Sequence, residues 1–411
     1  MPVSFYNHPH MINKKLRVAY ALAVHGKEEK TRINKVLDEK RTNMGSETAE
    51  LESTIAKAFG KKFGVMVNSG SSANLLALEL LNLPKGSEII TPMLTFSTTI
   101  APMVKLGLIP VFVDVDTGKY TMNVSQIEKL ITKKTKAIMV PLLLGNIPNL
   151  KKLKVIAKKY KLFLVEDSCD TLGGTFDGKP SGTYSDITTT SFFGSHIITA
   201  GGNGGMVLVN NPLWADRLKM LRGWGRSSAL FGESENIQDR FSKKIRDISY
   251  DAKFIFDEIG YNFLPNEMGA AFGNEQMKKL PLFRKTRMNN FKKLSQFFKN
   301  YEKYFILPIQ DKTVSTQWLA FPLTIKPNAP FTRLKIVTYL EMNNIQTRPV
   351  FTGNILLQPG FENINCKLSK DGYPVANDIM KNSFVIGCHQ GMTDIHIKKV
   401  QNVIRDFFLT I

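Results

Sequence analysis

Segments with helical periodicity alternate with short β-branched runs from about residue 45 of this chain onward. The helical pattern predicts helices over 46–59, 72–81, 123–131 and 150–160. The short apolar runs predict strands over 63–67, 88–91, 110–115, 137–141 and 162–166. This alternation is typical of a mostly parallel sheet between helices, so we predict an α/β fold with its ligand site at the carboxyl ends of the strands.

The pattern changes after a helical segment around residues 265–281. The region beyond it is more mixed and contains Pro308, Pro322, Pro327 and Pro330. With 411 residues, 43% of them apolar, the chain can bury a sizeable core and is long enough for two domains. We predict a large domain over 1–275 and a smaller α+β domain over 276–411.

The cellular compartment is indicated by hydropathy and by cysteine usage. No apolar run is long enough to span a membrane, and residues 1–8 lack the charged-then-apolar layout of a signal peptide. The three cysteines, Cys169, Cys366 and Cys388, are too few and too scattered for a disulfide framework. We therefore expect a cytoplasmic protein that binds no membrane, and we expect no metal site.

The formal net charge of +20 raises the question of a nucleic-acid partner. The lysines, however, are spread along helical stretches such as 151–159, where charges line the solvated face of an amphipathic helix. No zinc-finger, helix-turn-helix or RNA-recognition motif is present. We expect no nucleic-acid partner, and a positive field that attracts an anionic small molecule.

A small polar loop follows the predicted strand 63–67. It runs Asn68-Ser69-Gly70-Ser71-Ser72-Ala73-Asn74 and opens a helix. Backbone N–H groups and hydroxyls at a helix N-terminus form a cradle for phosphate, which makes Gly70 and Ser71 candidate ligands. An ordinary serine N-cap would give the same pattern.

One histidine lies within a motif that has a known counterpart. The segment Ser191-Phe192-Phe193-Gly194-Ser195-His196 resembles the S-F-x-x-x-K segment of the DegT/DnrJ/StrS family of sugar aminotransferases. In that family the lysine holds pyridoxal phosphate as a Schiff base. His196 cannot form that bond, but an imidazole can still move a proton at the cofactor's 4' carbon. A lone loop histidine with no role in chemistry is the alternative.

The resemblance extends to the polar loop and to the glycines after His196. In the family, an S-G-[ST]-x-A loop binds the cofactor phosphate, which implies that role for Gly70 and Ser71, with the Ser191 hydroxyl as a further donor. The segment 199–205, Thr-Ala-Gly-Gly-Asn-Gly-Gly, departs from the family's T-x-G-E-G-G, because it is one residue longer and has no glutamate. The contacts of that loop therefore do not transfer.

Two further motifs imply residues around the cofactor ring. Residues 166–170, Glu-Asp-Ser-Cys-Asp, resemble the family's E-D-x-[AC]-x segment, which places Asp167 against the pyridine nitrogen and Asp170 near the ring hydroxyl. Residues 91–96 resemble P-x-x-T-[FW], in which the aromatic ring, here Phe96, stacks on the pyridine. A helix-capping aspartate and a plain core phenylalanine are the alternatives.

Two later motifs imply a second subunit and a substrate site. Gly260-Tyr261-Asn262 matches a G-Y-N motif whose asparagine reaches the phosphate of the neighbouring subunit, which implies a homodimer with shared active sites. The family's usual arginine two residues later is replaced by Leu264. Residues 348–359 resemble R-x-x-F-x-G-N…Q-P of the family's 3-dehydrase branch, so Arg348 and Asn354 are candidate substrate ligands. An ordinary surface arginine is the alternative for Arg348.

A histidine at the lysine position is a feature of that 3-dehydrase branch. The resemblance implies a fold type I enzyme that uses pyridoxal and pyridoxamine phosphate on a GDP- or CDP-linked 4-keto-6-deoxyhexose. The implied reaction removes the C-3 hydroxyl in deoxysugar biosynthesis, with His196 as the acid/base and an amino donor such as glutamate. The rival hypotheses are a nucleotide-sugar aminotransferase of the same fold and a non-catalytic sugar-nucleotide-binding homologue.

Cysteine usage bears on an iron-sulfur variant of this chemistry. One member of the branch carries such a cluster and receives electrons from a reductase, which requires a set of cysteine ligands. The corresponding stretch here, 224–250, contains no cysteine. We predict an enzyme without a cluster and leave the need for a separate reductase open.

Overall fold

The computed structural model describes residues 16–231 and 235–411. Residues 1–8, which the signal-peptide expectation concerns, lie outside the described residues. The N-terminal part of the chain forms α1 (Lys27–Asp38), α2 (Ser46–Ala58), β1 (Phe63–Val67), α3 (Gly70–Leu80), β2 (Glu88–Pro92), α4 (Ser97–Lys105), β3 (Ile109–Val113), β4 (Thr135–Pro141), α5 (Leu150–Tyr160), β5 (Phe163–Asp167), β6 (Thr175–Phe176), β7 (Lys179–Pro180), β8 (Ile187–Ser191), β9 (Gly205–Val209) and α6 (Pro212–Arg222).

The remaining described elements include a hairpin, a long helix and a second sheet. They are α7 (Ile237–Phe241), β10 (Lys243–Ile245), β11 (Ile248–Tyr250), α8 (Glu267–Phe298), β12 (Phe305–Ile306), β13 (Val314–Ser315), β14 (Phe321–Ile325), α9 (Arg333–Met342), β15 (Thr347–Arg348), α10 (Pro374–Asn382), β16 (Ser383–Ile386) and α11 (Asp394–Leu409).

The central sheet has seven strands in the order β1-β9-β8-β5-β4-β2-β3. Strand β9 pairs antiparallel with both of its neighbours, and the other four pairs are parallel. At the carboxyl ends, Asp167 of β5 pairs with Pro141 of β4 and with Thr189 of β8. The predicted mostly parallel α/β sheet is confirmed.

Neighbouring residues of the central strands pack into different apolar clusters. Val65 and Val67 of β1 belong to one cluster, whereas Met66 between them belongs to another. Ile89 and Ile90 of β2 are divided in the same way. Since successive side chains of a strand point to opposite faces, both faces of this sheet are covered.

The C-terminal part is built on a four-stranded antiparallel sheet in the order β12-β14-β16-β15. Helix α8 leads into it as a single helix from Glu267 to Phe298. The predicted domain boundary at residue 275 therefore lies within a continuous helix, and the division into 1–275 and 276–411 stays a prediction.

The predicted helix 123–131 was wrong in type. This segment forms two separate 3-10 turns, Val124–Gln126 and Glu128–Leu130. The Asn123 side chain accepts a hydrogen bond from the N–H of Ser125, and Gln126 accepts one from the N–H of Asp114 at 2.8 Å. These side-chain bonds fix short turns against the end of β3 in place of a continuous helix.

None of the helices in residues 16–231 and 235–411 combines the length and the apolar character that a membrane-spanning helix needs.

Candidate functional site

A cavity of about 350 Å³ opens at the carboxyl ends of β5 and β8, beside the first turn of α3. Seven of the predicted site residues line it: Gly70, Ser71, Phe96, Asp167, Asp170, Ser191 and His196. They come from four separate stretches of the sequence. The parallel strands bring these stretches together because their carboxyl ends meet at one edge of the sheet.

The polar loop after β1 forms the start of α3. Ser69 is the N-cap, and its hydroxyl accepts a 3.1 Å hydrogen bond from the N–H of Ser72. Ser69 is therefore the capping residue. Gly70 and Ser71 are the first residues of the helix, and their N–H groups have no partner within it. The Ser71 hydroxyl faces Thr98 Oγ1 at 3.1 Å. This arrangement can bind a phosphate at the mouth of the cavity.

Gly70 is required by a close approach between α3 and β8. A Cβ atom at this position would lie 2.6 Å from Ser191 Cβ and 2.9 Å from Ser191 Oγ. The same atom would lie 3.0 Å from Cys169 Sγ. The glycine thus keeps the Ser191 hydroxyl next to the N-terminus of the helix.

Asp167 is buried at the end of β5 and is held by two neighbours that the sequence analysis did not identify. Its Oδ2 accepts hydrogen bonds from Asn74 Nδ2 at 2.9 Å and from Thr99 Oγ1 at 2.8 Å. Thr189 donates a 2.6 Å hydrogen bond to the Asn74 amide oxygen. The carboxylate is therefore fixed in orientation at the cavity wall. It caps no helix, although its Oδ1 accepts a weak 3.3 Å bond from the N–H of Cys169.

His196 is partly buried in the loop after β8, with its ring edge-on to Phe193 at a centroid distance of 6.0 Å. Its Nδ1 atom is shielded from solvent and has no hydrogen-bond partner. Burial lowers the pKa of His196 to about 4, against the opposing effects of Cys169 and Asp167. The imidazole is therefore neutral at physiological pH and can accept a proton from a group in the cavity.

Asp170 is a second buried carboxyl group in the cavity wall. Burial, together with the charge of Asp167, raises the pKa of Asp170 to about 7, although the N–H of Leu144 donates to its Oδ2 at 2.9 Å. Leu144 adopts a left-handed backbone with φ of 56° to make this contact. Near neutral pH, Asp170 is therefore present in both its protonated and its ionised form.

Phe96 forms the aromatic wall, with 49% of its side-chain surface exposed. The ring of Phe351 meets it edge-on at 6.0 Å, and Phe351 also lines the cavity from the C-terminal part of the chain. Phe351 has φ of 46°, an unfavourable value for an aromatic residue. Tyr20 is a further cavity residue that no motif identified.

Three predicted site residues lie outside the cavity lining. Asn262 is exposed and pairs through its backbone with Gly223. Arg348 is exposed, with its guanidinium 5.8 Å from the ring of Tyr20. Asn354 is buried and donates a 2.7 Å hydrogen bond to Asn377. Their predicted roles toward phosphate and substrate stay predictions.

The residues around the cavity fit a phosphate-bearing aromatic cofactor. The first turn of α3 provides N–H groups, Asp167 provides an oriented carboxylate, and Phe96 provides an exposed ring face. His196, whose imidazole is neutral at physiological pH, lines the same cavity. Within the described part of the chain there is no cluster of three His, Cys, Asp or Glu side chains placed to hold a metal ion.

Comparison with known proteins identifies related chains over nearly the whole length. The profile of the DegT/DnrJ/EryC1/StrS aminotransferase family matches residues 24–405. A protein of Saccharopolyspora spinosa named dTDP-4-dehydro-2,6-dideoxy-D-glucose 3-dehydratase is 36% identical over 396 residues, which cover 94% of this chain and 85% of that protein.

Solved structures give the same result. The GDP-4-keto-6-deoxy-D-mannose-3-dehydratase of E. coli, solved with bound hydrated PLP, superimposes with a TM-score of 0.85 at 31% identity, covering 95% of this chain and 99% of the other. A structure of GDP-4-keto-6-deoxymannose-3-dehydratase with a trapped PLP-glutamate geminal diamine superimposes with a TM-score of 0.84 at 31% identity, covering 94% and 99%.

Proposed function

The chain belongs to the DegT/DnrJ/EryC1/StrS aminotransferase family, and we propose that it is a nucleotide-sugar 3-dehydratase dependent on pyridoxal and pyridoxamine phosphate. Its substrate is a nucleotide-linked 4-keto-6-deoxyhexose, from which it removes the C-3 hydroxyl. The observation that carries this proposal is His196, which stands at the family's lysine position and lines the same cavity as Asp167.

Residues that line the cavity would hold the cofactor. The backbone of Gly70 and Ser71 and the hydroxyl of Ser191 would bind its phosphate. Asp167 would accept a hydrogen bond from the protonated pyridine nitrogen, and Phe96 would cover the ring face. When bound as the amine, the cofactor supplies a nitrogen that condenses with the sugar ketone and a ring that takes up an electron pair.

His196 performs the proton transfer. Because its pKa is lowered to about 4, the neutral imidazole takes the proton from the 4' carbon of the cofactor. The resulting imidazolium then returns a proton to the C-3 hydroxyl as it leaves as water. The product would be a 3-deoxy-4-keto sugar, with the cofactor's amine nitrogen released by hydrolysis as ammonia, and an amino donor such as glutamate would have to supply that nitrogen again.

The region around Arg348 and Asn354 is the candidate determinant of which nucleotide the protein binds. The relatives act on dTDP- and GDP-linked sugars by name, so our proposal extends to any of the GDP-, CDP- or dTDP-linked ketosugars. Arg348 is exposed beside the cavity residue Tyr20, which suits a role toward the diphosphate.

We propose that the reaction needs no iron-sulfur cluster. The whole sequence contains three cysteines, whereas such clusters take four cysteine ligands in most proteins. Cys169 lines the cavity, and Cys388 is buried with its thiol facing the carbonyl of Trp318. Iron and acid-labile sulfide in stoichiometric amounts would contradict this part of the proposal.

A homodimer with shared active sites is supported by an exposed apolar surface near Asn262. Four side chains of this surface are exposed by 44% to 95%: Tyr250, Phe254, Phe256 and Ile259. A cluster of exposed apolar side chains is typical of a protein–protein interaction surface. A second copy packed here would cover them and bring Asn262 toward the neighbouring cavity.

We also propose that the protein is cytoplasmic. All three cysteines have free thiols, which is typical of proteins in a reducing compartment.

The test is mass spectrometry of the sugar products. The protein is incubated with pyridoxal phosphate, glutamate and a panel of GDP-, CDP- and dTDP-linked 4-keto-6-deoxyhexoses, beside the His196→Asn variant as a control. We expect a product that lacks the C-3 hydroxyl, together with free ammonia, from the unmodified protein only. A product that retains the nitrogen would identify an aminotransferase, and no turnover on the whole panel would support a binding protein.

A further inference from the structure

Arg287 is a buried guanidinium without a carboxylate partner. It lies on α8, is 1% exposed, and forms no ion pair with any described residue. Its hydrogen bonds go to neutral oxygens: Nε to Gln390 at 2.7 Å, and Nη1 to the carbonyls of Trp318 and Leu319 at 3.2 and 3.1 Å. Leu319 lines the candidate site.

The other buried arginine of the described chain shows the usual arrangement. Arg222 donates to Glu52 at 2.7 Å, so its charge is neutralised. A buried cation without such a partner destabilises the fold, because nothing replaces the lost hydration. Burial lowers the pKa of Arg287 to about 10, which still leaves it charged near neutral pH. Because burying this charge is unfavourable, we expect Arg287 to have a function that compensates for the lost stability.

The contacts of Arg287 lead to the loop of His196. Gln390, which accepts from Arg287, donates its Nε2 to the carbonyl of Ile197 at 3.4 Å. Ile197 directly follows His196 and is buried. One arginine thus holds the carbonyl of Leu319 in the cavity wall and, through Gln390, the backbone next to the His196 ring.

The charged and titratable groups around His196 act in opposite directions. Asp167 and the backbone at Cys169 and Ser191 favour the protonated ring, whereas burial and the charge of Arg287 oppose it. The thiol of Cys169 is neutral, because burial raises its pKa. Asp170 and Tyr20 complete the titratable groups of the cavity. Among these effects on the pKa of His196, burial is the largest and the charge of Arg287 is the smallest.

We propose that Arg287 is a positioning residue, which acts through Gln390 to hold the backbone beside His196 and so keeps the His196 ring buried in the cavity wall. This inference deepens the proposed function and rests on it. Asp167 is needed beside the cofactor ring, but it also attracts a proton to His196. Burial of the ring opposes this attraction, so the imidazole stays neutral as long as the loop holds its place.

The test follows the titration of His196 by NMR in protein with ¹³C-labelled histidine, without cofactor or substrate. The chain has six histidines, and the His196→Asn variant identifies the signal. In the unmodified protein the signal stays at its neutral position between pH 8 and 5.5. We expect Arg287→Met to loosen the loop and to admit water to the ring, which raises the pKa of His196 toward its ordinary value of about 6.5, so that its signal moves measurably at pH 5.5.

Gln390→Leu provides a second variant in case Arg287→Met does not fold. It keeps the size of the side chain and adds no charge, but it removes both the acceptor for Arg287 and the donor to Ile197, so we expect the same upward shift. Arg284→Met is the matched control: Arg284 lies one turn earlier on α8 and donates to the hydroxyl of Ser315 at 2.8 Å. We expect no shift in this variant.

Two outcomes overturn the proposal. One is a His196 signal that does not move in either folded variant, and the other is an equal shift in Arg284→Met, which would indicate general loosening of the site. Since the measurement uses neither cofactor nor sugar, it gives its answer whether or not the protein removes a sugar hydroxyl. Failure of the dehydratase assay therefore remains a separate result.

Discussion

The side-chain amide of Asn74 donates a 2.9 Å hydrogen bond to Oδ2 of Asp167, and both groups are buried. Asn74 lies on α3, the helix that starts at the phosphate cradle, and Asp167 ends β5. The bond therefore couples the element that we propose holds the cofactor phosphate to the carboxylate that we propose faces the cofactor ring. The distance between these two ends of the cofactor site is set by the protein before the cofactor binds.

Replacing this amide tests the coupling. We expect Asn74→Ala to weaken cofactor binding, because Oδ2 of Asp167 then keeps only the bond from Thr99. We also expect a cost of about 1–3 kcal/mol in the free energy of unfolding, because the Thr189 hydroxyl loses the Asn74 oxygen as its acceptor. Urea denaturation and fluorescence titration with pyridoxal phosphate measure the two effects. Asn123→Ala, which removes a remote turn cap, is the control that changes stability alone. Unchanged cofactor affinity in Asn74→Ala would refute the coupling.

Gly70 offers a test of the close contact between α3 and β8. In Gly70→Ala the new methyl group must displace Ser191, whose Cβ would lie 2.6 Å away. We expect a loss of about 1–3 kcal/mol in unfolding free energy and weaker binding of the cofactor phosphate. Gly360→Ala is the matched control, because a Cβ there meets no atom within 4 Å. Equal stability of the two variants, measured by denaturant unfolding, would show that the contact is relaxed in solution.

The sequence predicted the sheet and most of the site for a definite physical reason. Strand β1 was predicted with its observed bounds, since its apolar run is bordered by polar residues at both ends. The motifs around Asp167 and His196 were recognisable because a flat, phosphorylated cofactor requires those side chain types in a fixed chain order. The residues that hold Asp167 and His196 in place belong to no such motif, so the sequence did not identify them.

Asn74, Thr99 and Phe351 were missed because their roles depend on distant contacts. Asn74 and Thr99 meet Asp167 across 93 and 68 positions of the sequence. Phe351 reaches Phe96 from the C-terminal part of the chain, with a backbone conformation that no local pattern indicates. The helix predicted over 123–131 was wrong because two hydrogen bonds, to the side chains of Asn123 and Gln126, outweigh the helical spacing of the apolar residues.

Asp170 predicts a specific dependence of stability on pH. Its pKa is raised from 3.8 to about 7 in the folded protein, so the folded state binds a proton that the unfolded state releases. The contribution of Asp170 to stability is therefore fully present below pH ~4 and is lost as the pH rises through 7. In Asp170→Asn this loss is absent. We expect its stability relative to the unmodified protein to rise by about 2–4 kcal/mol between pH 4 and 8.

Denaturant unfolding at several pH values, without cofactor, measures this difference. Asp177→Asn is the control, because Asp177 is exposed and its substitution should leave the pH profile unchanged. A stability difference between Asp170→Asn and the unmodified protein that is constant from pH 4 to 8 would mean that Asp170 ionises normally in the folded state.

Ile259 tests the proposed homodimer, because its side chain is 95% exposed in the single chain and adjoins the segment that carries Asn262. If a second copy covers this surface, Ile259→Lys buries a charge in an apolar contact, and we expect the dimer to dissociate in sedimentation velocity at micromolar concentration. Dehydratase activity should fall with it, since each cavity then lacks the neighbour's Asn262. Ile395→Lys on α11, where the side chain is 67% exposed, is the control and should stay dimeric. A dimer that survives Ile259→Lys unchanged places the subunit contact elsewhere on the molecule and removes the structural argument for a shared site.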